Sequence, residues 1–178
     1  GGTALTTTET FIQLPKSAQY FELITRNYVT GVVAQIGFAP WLVVFKTADA
    51  LATAPTDSSH AVQDASTSTN IDLSSLDTAA NSDFLYVGRL RKFKGVHVNV
   101  NNTNRTASVL TVKYWNGSAW ADISDTDGTI SPAGTTLGKD GIVSWTVPSD
   151  WATTDLVTAG DASSATGPHV GTPDIYWT

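Results

Sequence analysis

The side chains that most often carry catalysis are scattered along this chain. Its three histidines, His60, His97 and His169, are far apart, and none lies in a zinc-binding or nucleophile motif. A Ser-His-Asp triad is recognised by its geometry, and no Gly-x-Ser-x-Gly elbow raises the case for one. The chain has no cysteine, which excludes disulfides, thiolate metal sites and a cysteine nucleophile. These features predict a protein that is not an enzyme and that uses no cofactor.

Two acidic residues, Asp125 and Asp127, resemble the opening of a calcium-binding loop. Oxygen ligands at alternate positions suit Ca²⁺. The acidic residue that closes a twelve-residue calcium loop is missing, because Thr136 occupies that position. Asp127-Gly128 is also common turn chemistry. We therefore interpret the segment as a turn, with Asp125 and Asp127 as its calcium candidates.

The most informative motif is Lys113-Tyr-Trp-Asn-Gly-Ser-Ala-Trp120. Its Asn-Gly pair is a strong signal for a β-hairpin, and a loop of two or four residues gives the same alternation of side chains. One face then carries Leu110, Val112, Tyr114, Ala119, Ala121 and Ile123 and is predicted to be the core face. The other face carries Thr111, Lys113, Trp115, Trp120 and Asp122.

The two tryptophans on the polar face, Trp115 and Trp120, have three possible uses. A loop of the same subunit, such as 49–83, could cover both rings. They could anchor a protein interface, where tryptophan is enriched. They could instead stack on sugar rings. Lys113 and Asp122 share this face and belong to the same candidate surface.

Composition and charge limit the classes of partner. The chain has 178 residues, of which 41% are hydrophobic and only 15% charged, and its net charge is −6. Low charge suits a protein whose surface is partly covered by partners. An acidic chain with no basic stretch beyond Arg89–Lys94 is not expected to bind nucleic acid. No apolar run approaches the ~20 residues of a membrane span, and no export signal is visible.

The remaining segments predict an all-β protein. Val96, Val98 and Val100 alternate with polar residues, as in a half-buried strand, and the same alternation places Trp145 on a core face. The best helical candidate is a single turn that begins at Ser149. The predicted strands are 10–14, 18–25, 31–38, 41–47, 84–90, 93–100, 107–115, 120–124, 141–147 and 175–177. Many short strands favour a jelly-roll-like antiparallel β-sandwich.

Two segments do not fit a compact sandwich. Residues 1–9 are small and polar and are predicted to be an extended N-terminal arm. Residues 10–178 are predicted to form one domain, from which 49–83 departs as a long, ordered excursion. Segments of low hydrophobicity rarely order themselves unaided, so we expect neighbouring subunits to hold both.

A larger set of motifs resembles a module that recurs in the structural proteins of tailed-bacteriophage particles. The matching stretches are Tyr86-Val-Gly88, Phe93-Lys-Gly95-Val96, Leu110–Trp120, Asp127-Gly128-Thr129, Leu137, Asp140-Gly141, Trp145-Thr-Val-Pro148, Asp150-Trp151 and Asp174-Ile-Tyr-Trp177. The resemblance covers roughly residues 84–178, and the first 83 residues match no pattern of this kind.

The resemblance implies a component of a phage virion, either a capsid decoration (cement) protein or a tail or baseplate protein. We expect a cement protein on the outer capsid surface. Its partners would be the major capsid protein and copies of itself, for example three around a local symmetry axis. The alternative is a tail or baseplate component that binds host-surface glycans through Trp115 and Trp120.

Overall fold

A computed structural model of the chain describes residues 42–47, 53–63, 66, 68–77, 83–160 and 174–178. All of these residues belong to one structural unit, Phe38–Thr178. The predicted arm at 1–9 and the predicted strands at 10–14, 18–25 and 31–38 lie outside the described residues. Within the described ranges, no helix is long and apolar enough to cross a membrane.

Short strands dominate the described part of the chain. They are β1 (Val43–Lys46), β2 (Thr56–Asp57), β3 (Leu85–Arg89), β4 (Gly95–Val98), β5 (Lys113–Trp115), β6 (Trp120–Asp122), β7 (Asp125–Asp127), β8 (Gly141–Trp145) and β9 (Tyr176–Trp177). A 3₁₀ turn covers Ser74–Asp77, and one helical turn, α1, covers Leu156–Ala159. All pairings between the strands are antiparallel. The predicted all-β class is confirmed, and the jelly-roll connectivity stays a prediction.

The first sheet has the strand order β2-β1-β3-β9. Val43 of β1 lies opposite Gly88 of β3, and Gly88 lies opposite Trp177 of β9. A Cβ atom on Gly88 would lie 2.5 Å from a carbon of the Trp177 ring. The glycine therefore allows the last tryptophan to lie directly on the neighbouring strand.

The other strands form a three-stranded sheet, of order β4-β8-β7, and the separate hairpin β5-β6. In the three-stranded sheet β8 is central, and its Val143 and Trp145 are buried, whereas Ile142 is 56% exposed and Ser144, between the two buried residues, is half-buried. This is the period-two alternation of a strand with one buried face. The predicted core position of Trp145 is confirmed.

Two groups of buried side chains form the core. The first cluster consists of Val43, Tyr86, Leu156, Ile175 and Trp177. The second cluster consists of Phe93, Ile123, Val143, Trp145 and Trp151. Neighbouring residues of β3 contribute to different clusters, because Tyr86 belongs to the first and Val87 packs against the second.

The structure differs from the predicted elements in four places. The predicted strand 107–115 is paired only over Lys113–Trp115, and β7 was not predicted. The helical turn predicted at Ser149 is wrong, because Trp151 is buried in the second cluster and Ala152 N donates to Trp115 O at 3.0 Å. The helical turn α1 begins after Asp155, whose carboxylate accepts from Thr158 N at 2.9 Å.

Part of the predicted excursion 49–83 is held by its own chain. β2 pairs with β1, and Ser58 N donates to Val44 O at 2.8 Å. Val44 N in turn donates to Ser59 Oγ at 2.9 Å. These bonds place 56–59 along the edge of the first sheet without any neighbouring subunit.

Candidate functional site

The hairpin that carries the candidate residues has the longer of the two loops that the sequence allowed, and the predicted parity of its side chains. Lys113 lies opposite Asp122, and Trp115 lies opposite Trp120. The connecting loop is the four residues 116–119, and it closes through Asn116 N, which donates to Ala119 O at 3.1 Å. The Asn116 side chain accepts from Ala119 N at 2.9 Å. Gly117 has φ +98°, a left-handed conformation that favours glycine.

Most of the predicted core face of the hairpin is confirmed, but Ala119 lies in the loop and is exposed. Leu110, Val112 and Tyr114 pack against the second cluster, and Ile123 is a member of it. The Tyr114 ring meets the Trp151 ring edge-on with centroids 6.2 Å apart, and its hydroxyl donates to Asp150 Oδ1 at 3.0 Å. Because the loop has four residues, the side chains of the two strands alternate between the faces as the sequence predicted.

The opposite face is covered in part by the same subunit. Trp120 packs against the first cluster, with its ring centroid 5.4 Å from that of Tyr86. Its indole Nε1 donates to the carbonyl oxygen of Ala159, at the end of α1, at 2.6 Å. Among the described residues, the cover therefore comes from β3 and α1, whereas the sequence suggested the excursion 49–83.

Trp115 occupies the outer position of the pair. Its ring meets Trp120 edge-on with centroids 6.0 Å apart, and the side chain is half-buried. The main-chain oxygen of Trp115 accepts the hydrogen bond from Ala152 N. That bond holds the backbone of the strand and does not restrain the Trp115 ring. Of the two candidate tryptophans, Trp115 is the one more available to a partner.

The charged members of the candidate surface neutralise each other. Lys113 Nζ lies 2.7 Å from Asp122 Oδ1, with the side chains 47% and 74% exposed. An exposed pair of this kind contributes about 0.2–1 kcal/mol at most. The pair therefore gives the Trp115 side of the hairpin a polar rim with little net charge.

The calcium candidates lie on β7, and the Asp127 carboxylate is already engaged. Asp127 Oδ1 accepts from Thr129 N at 2.7 Å and from Thr129 Oγ1 at 2.6 Å, and Oδ2 accepts from Thr136 Oγ1 at 2.5 Å. Burial acts to raise the pKa of Asp127, but the hydrogen bonds from both threonines outweigh it and hold the pKa below its ordinary value. The interpretation as a turn accounts for these contacts.

Asp125 lies on the same strand as Asp127, two residues before it. It lies opposite Trp145 in the pairing of β7 with β8. Within the ranges that the structure describes, no group of three or more metal-binding side chains is present. Thr136, which stands where a calcium loop would place its last acid, is a hydrogen-bond donor to Asp127 instead.

Sequence reasoning missed the network around Asp127 and the anchoring of the basic stretch Arg89–Lys94. Lys92 Nζ donates to Pro148 O at 3.1 Å and to Ser149 O at 3.0 Å. Phe93 is buried in the second cluster, against Trp151 with centroids 5.0 Å apart. The alternation of basic residues with Phe93 was the one signal in the sequence that this stretch is attached to a core.

Comparison with known proteins found no similar protein. No family model, no curated protein and no solved structure matches the chain. The packing of the described residues, together with the motifs of the sequence, therefore carries the functional argument.

Proposed function

We propose that this chain is a non-enzymatic structural component of a bacteriophage particle, and within that class a capsid decoration protein. It would bridge neighbouring capsid subunits on the outer surface of the head, in contact with the major capsid protein and with copies of itself. Two lines support this proposal: the resemblance over residues 84–178, and the way in which the tryptophans of that stretch are used.

The observation that carries the proposal is a set of bonds from tryptophan side chains to the main chain. The indole N–H groups of Trp120, Trp145, Trp151 and Trp177 each donate to a main-chain carbonyl oxygen, at 2.6, 2.9, 3.1 and 2.9 Å. The acceptors are Ala159, Phe93, Trp177 and Thr154. Each bond joins segments at least 23 residues apart in the chain.

These bonds suit a protein whose work is mechanical. The chain has no cysteine, so it has no disulfides, and its stiffness must come from packing or assembly. A buried tryptophan supplies a large apolar area and one directional bond, which fixes the distance between the two segments that it joins. The tryptophans of the resembling stretch are thus used for internal bracing, as a shell-stabilising protein requires.

The contacts of Trp120 favour this proposal over glycan binding. A sugar-binding platform needs accessible ring faces, and in this chain Trp120 packs on Tyr86 and donates its N–H to Ala159. Trp115 is equally half-buried, but the ring contact that the structure shows for it is with Trp120, so it is the better candidate for an anchor at a protein interface, where tryptophan is enriched.

Cryo-electron microscopy of the intact particle tests the location directly. Density for this fold on the outside of the head, between capsid subunits, is expected. Density confined to the tail or baseplate would contradict the decoration role and support the alternative.

The variant Trp115→Ala tests the docking surface without disturbing the core. We expect it to lower occupancy on the capsid, or the resistance of the particle to heat, while host adsorption is unchanged. Removing one interfacial tryptophan can cost 2 kcal/mol or more, which is about thirtyfold in affinity. Val109→Ala is the matched control, because Val109 is an apolar side chain that is 91% exposed elsewhere on the surface.

Two results would count against this surface. Loss of adsorption with normal occupancy would favour the glycan-binding alternative. Occupancy and adsorption both equal to those of Val109→Ala would show that Trp115 does not dock. The melting temperature of the isolated Trp115→Ala protein should stay close to that of the original chain, so that unfolding does not account for either result.

A further inference from the structure

The net charge of the chain is concentrated in one segment. Residues 49–83 contain six aspartates and neither lysine nor arginine, so their net charge of −6 equals that of the whole chain. The rest of the chain carries ten acidic and ten basic residues. Four of those ten basic residues lie within the six residues Arg89–Lys94, which contain no acidic residue.

The stretch Arg89–Lys94, called here the basic loop, is rigidly presented. Lys92 is bound to two carbonyl oxygens and Phe93 is buried in the second cluster. Arg91 and Lys94 are exposed, and neither has an ion-pair partner among the residues that the structure describes. Because the loop is held in place by its own chain, binding through Arg91 and Lys94 orders few additional side chains.

The described end of the acidic segment, 72–77, has a complementary pattern. Asp72 and Asp77 are exposed and enclose Leu73 and Leu76, which are half-buried around the 3₁₀ turn. The basic loop also has an apolar side chain between its charges, because Leu90 is 47% exposed. Leucines at the centre and charges at the rim are the usual composition of a protein interface.

The acidic patch and the basic loop lie toward opposite ends of β3. Lys46 Nζ donates to the main-chain oxygen of Asp72, which places Asp72 near the end of β1, where Lys46 lies opposite Leu85. The basic loop begins at Arg89, at the other end of β3. The four residues of strand from Leu85 to Arg89 span roughly 13 Å. This exceeds the distance of about 8 Å over which charges interact at physiological salt.

From this arrangement we infer that the basic loop of one copy of the chain binds the segment 72–77 of a second copy. Arg91 and Lys94 would contact Asp72 and Asp77, and Leu90 would pack between them on Leu73 and Leu76. The two surfaces differ and lie at opposite ends of β3, so the contact is head-to-tail and closes into a ring or extends as a filament. This self-association does not depend on the virion assignment.

Sedimentation velocity of the full chain tests the interface. The wild-type protein should associate at low salt, and the association constant should fall about tenfold or more in high salt, because exposed charges are screened. The double variant R91E/K94E should associate about tenfold or more weakly at low salt, since it places like charges opposite each other. D77K should weaken association in the same direction.

The control R105E/K139E makes the same change in net charge at two exposed residues away from the basic loop, and it should associate like the wild type. Mixing R91E/K94E with D77K should restore association, because the unaltered basic loop of D77K can again bind the unaltered segment 72–77 of R91E/K94E. A wild-type chain that is monomeric at low salt would overturn the inference. So would a mixture that stays monomeric, or a control that weakens association as much as R91E/K94E. A monomeric chain that still decorates capsids would leave the proposed function standing.

Discussion

Replacing Trp145 by alanine should destabilise the protein more than any change on the exposed face of the same strand. The side chain is 7% exposed and lies against Phe93 and Trp151, with centroids 5.5 and 6.5 Å apart. Truncating a buried tryptophan to alanine costs about 3–5 kcal/mol. The indole also donates to Phe93 O at 2.9 Å, and that buried carbonyl loses its partner. We therefore expect a loss near the top of the range, about 5 kcal/mol, which is a large share of the stability of a typical domain.

Urea unfolding followed by circular dichroism measures this loss. Trp145→Phe keeps an aromatic ring but removes the donor, and should cost about 1–3 kcal/mol. Ile142→Ala is the matched control on the same strand, and because Ile142 is 56% exposed it should change the free energy of unfolding by about 0.5 kcal/mol or less. An unfolding midpoint for Trp145→Ala equal to that for Ile142→Ala would refute the assignment of the two faces of β8.

Three further changes test other contacts. Gly88→Ala places a Cβ atom against the Trp177 ring and should lower stability by about 1–3 kcal/mol, so an unchanged melting temperature would contradict the close packing of β3 on β9. The pKa of Asp127 is lowered in the folded chain, so the stabilisation that its carboxylate provides is complete above the unfolded value of 3.8 and is lost as the pH falls through the folded value. Asp127→Asn should therefore make the free energy of unfolding less dependent on pH in that acidic window and nowhere else. Lys92→Met keeps the apolar stem but removes the hydrogen bonds to Pro148 and Ser149, and it should lower the free energy of unfolding by about 1–3 kcal/mol. Amide hydrogen exchange near residue 150 should become faster. Unchanged exchange there would show that Lys92 does not anchor the basic loop.

The hairpin and the face of Trp145 could be predicted because local rules decide them. Asn116-Gly117 selects a short loop, and the parity of a strand then fixes which side chains share a face. Val143 and Trp145 alternate with a more polar set, which is enough to find the core side of β8. The structure confirms both predictions without any change of register.

Other features depend on partners far away in the sequence, so no local pattern signals them. β7 consists of Asp-Thr-Asp, which has low strand propensity, and it is extended because β8 pairs with it. A helical turn at Ser149 is locally plausible, but Ser149 and Asp150 form only a turn, after which Trp151 is buried in the second cluster. The cover of Trp120 by Tyr86 and Ala159 joins three distant segments, and only the folded chain reveals it.

The hairpin β5-β6 and strand β3 each place side chains in both clusters. Trp120 and Tyr86 contribute to the first, and Tyr114 and Val87 to the second. Opening either cluster removes part of the lining of the other, so unfolding that starts in one cluster should spread to the other. We expect a pulling force on this part of the chain to unfold both clusters together, at a single threshold force. We therefore expect the described part of the chain to unfold in a single cooperative step, with no intermediate in which only one cluster is open.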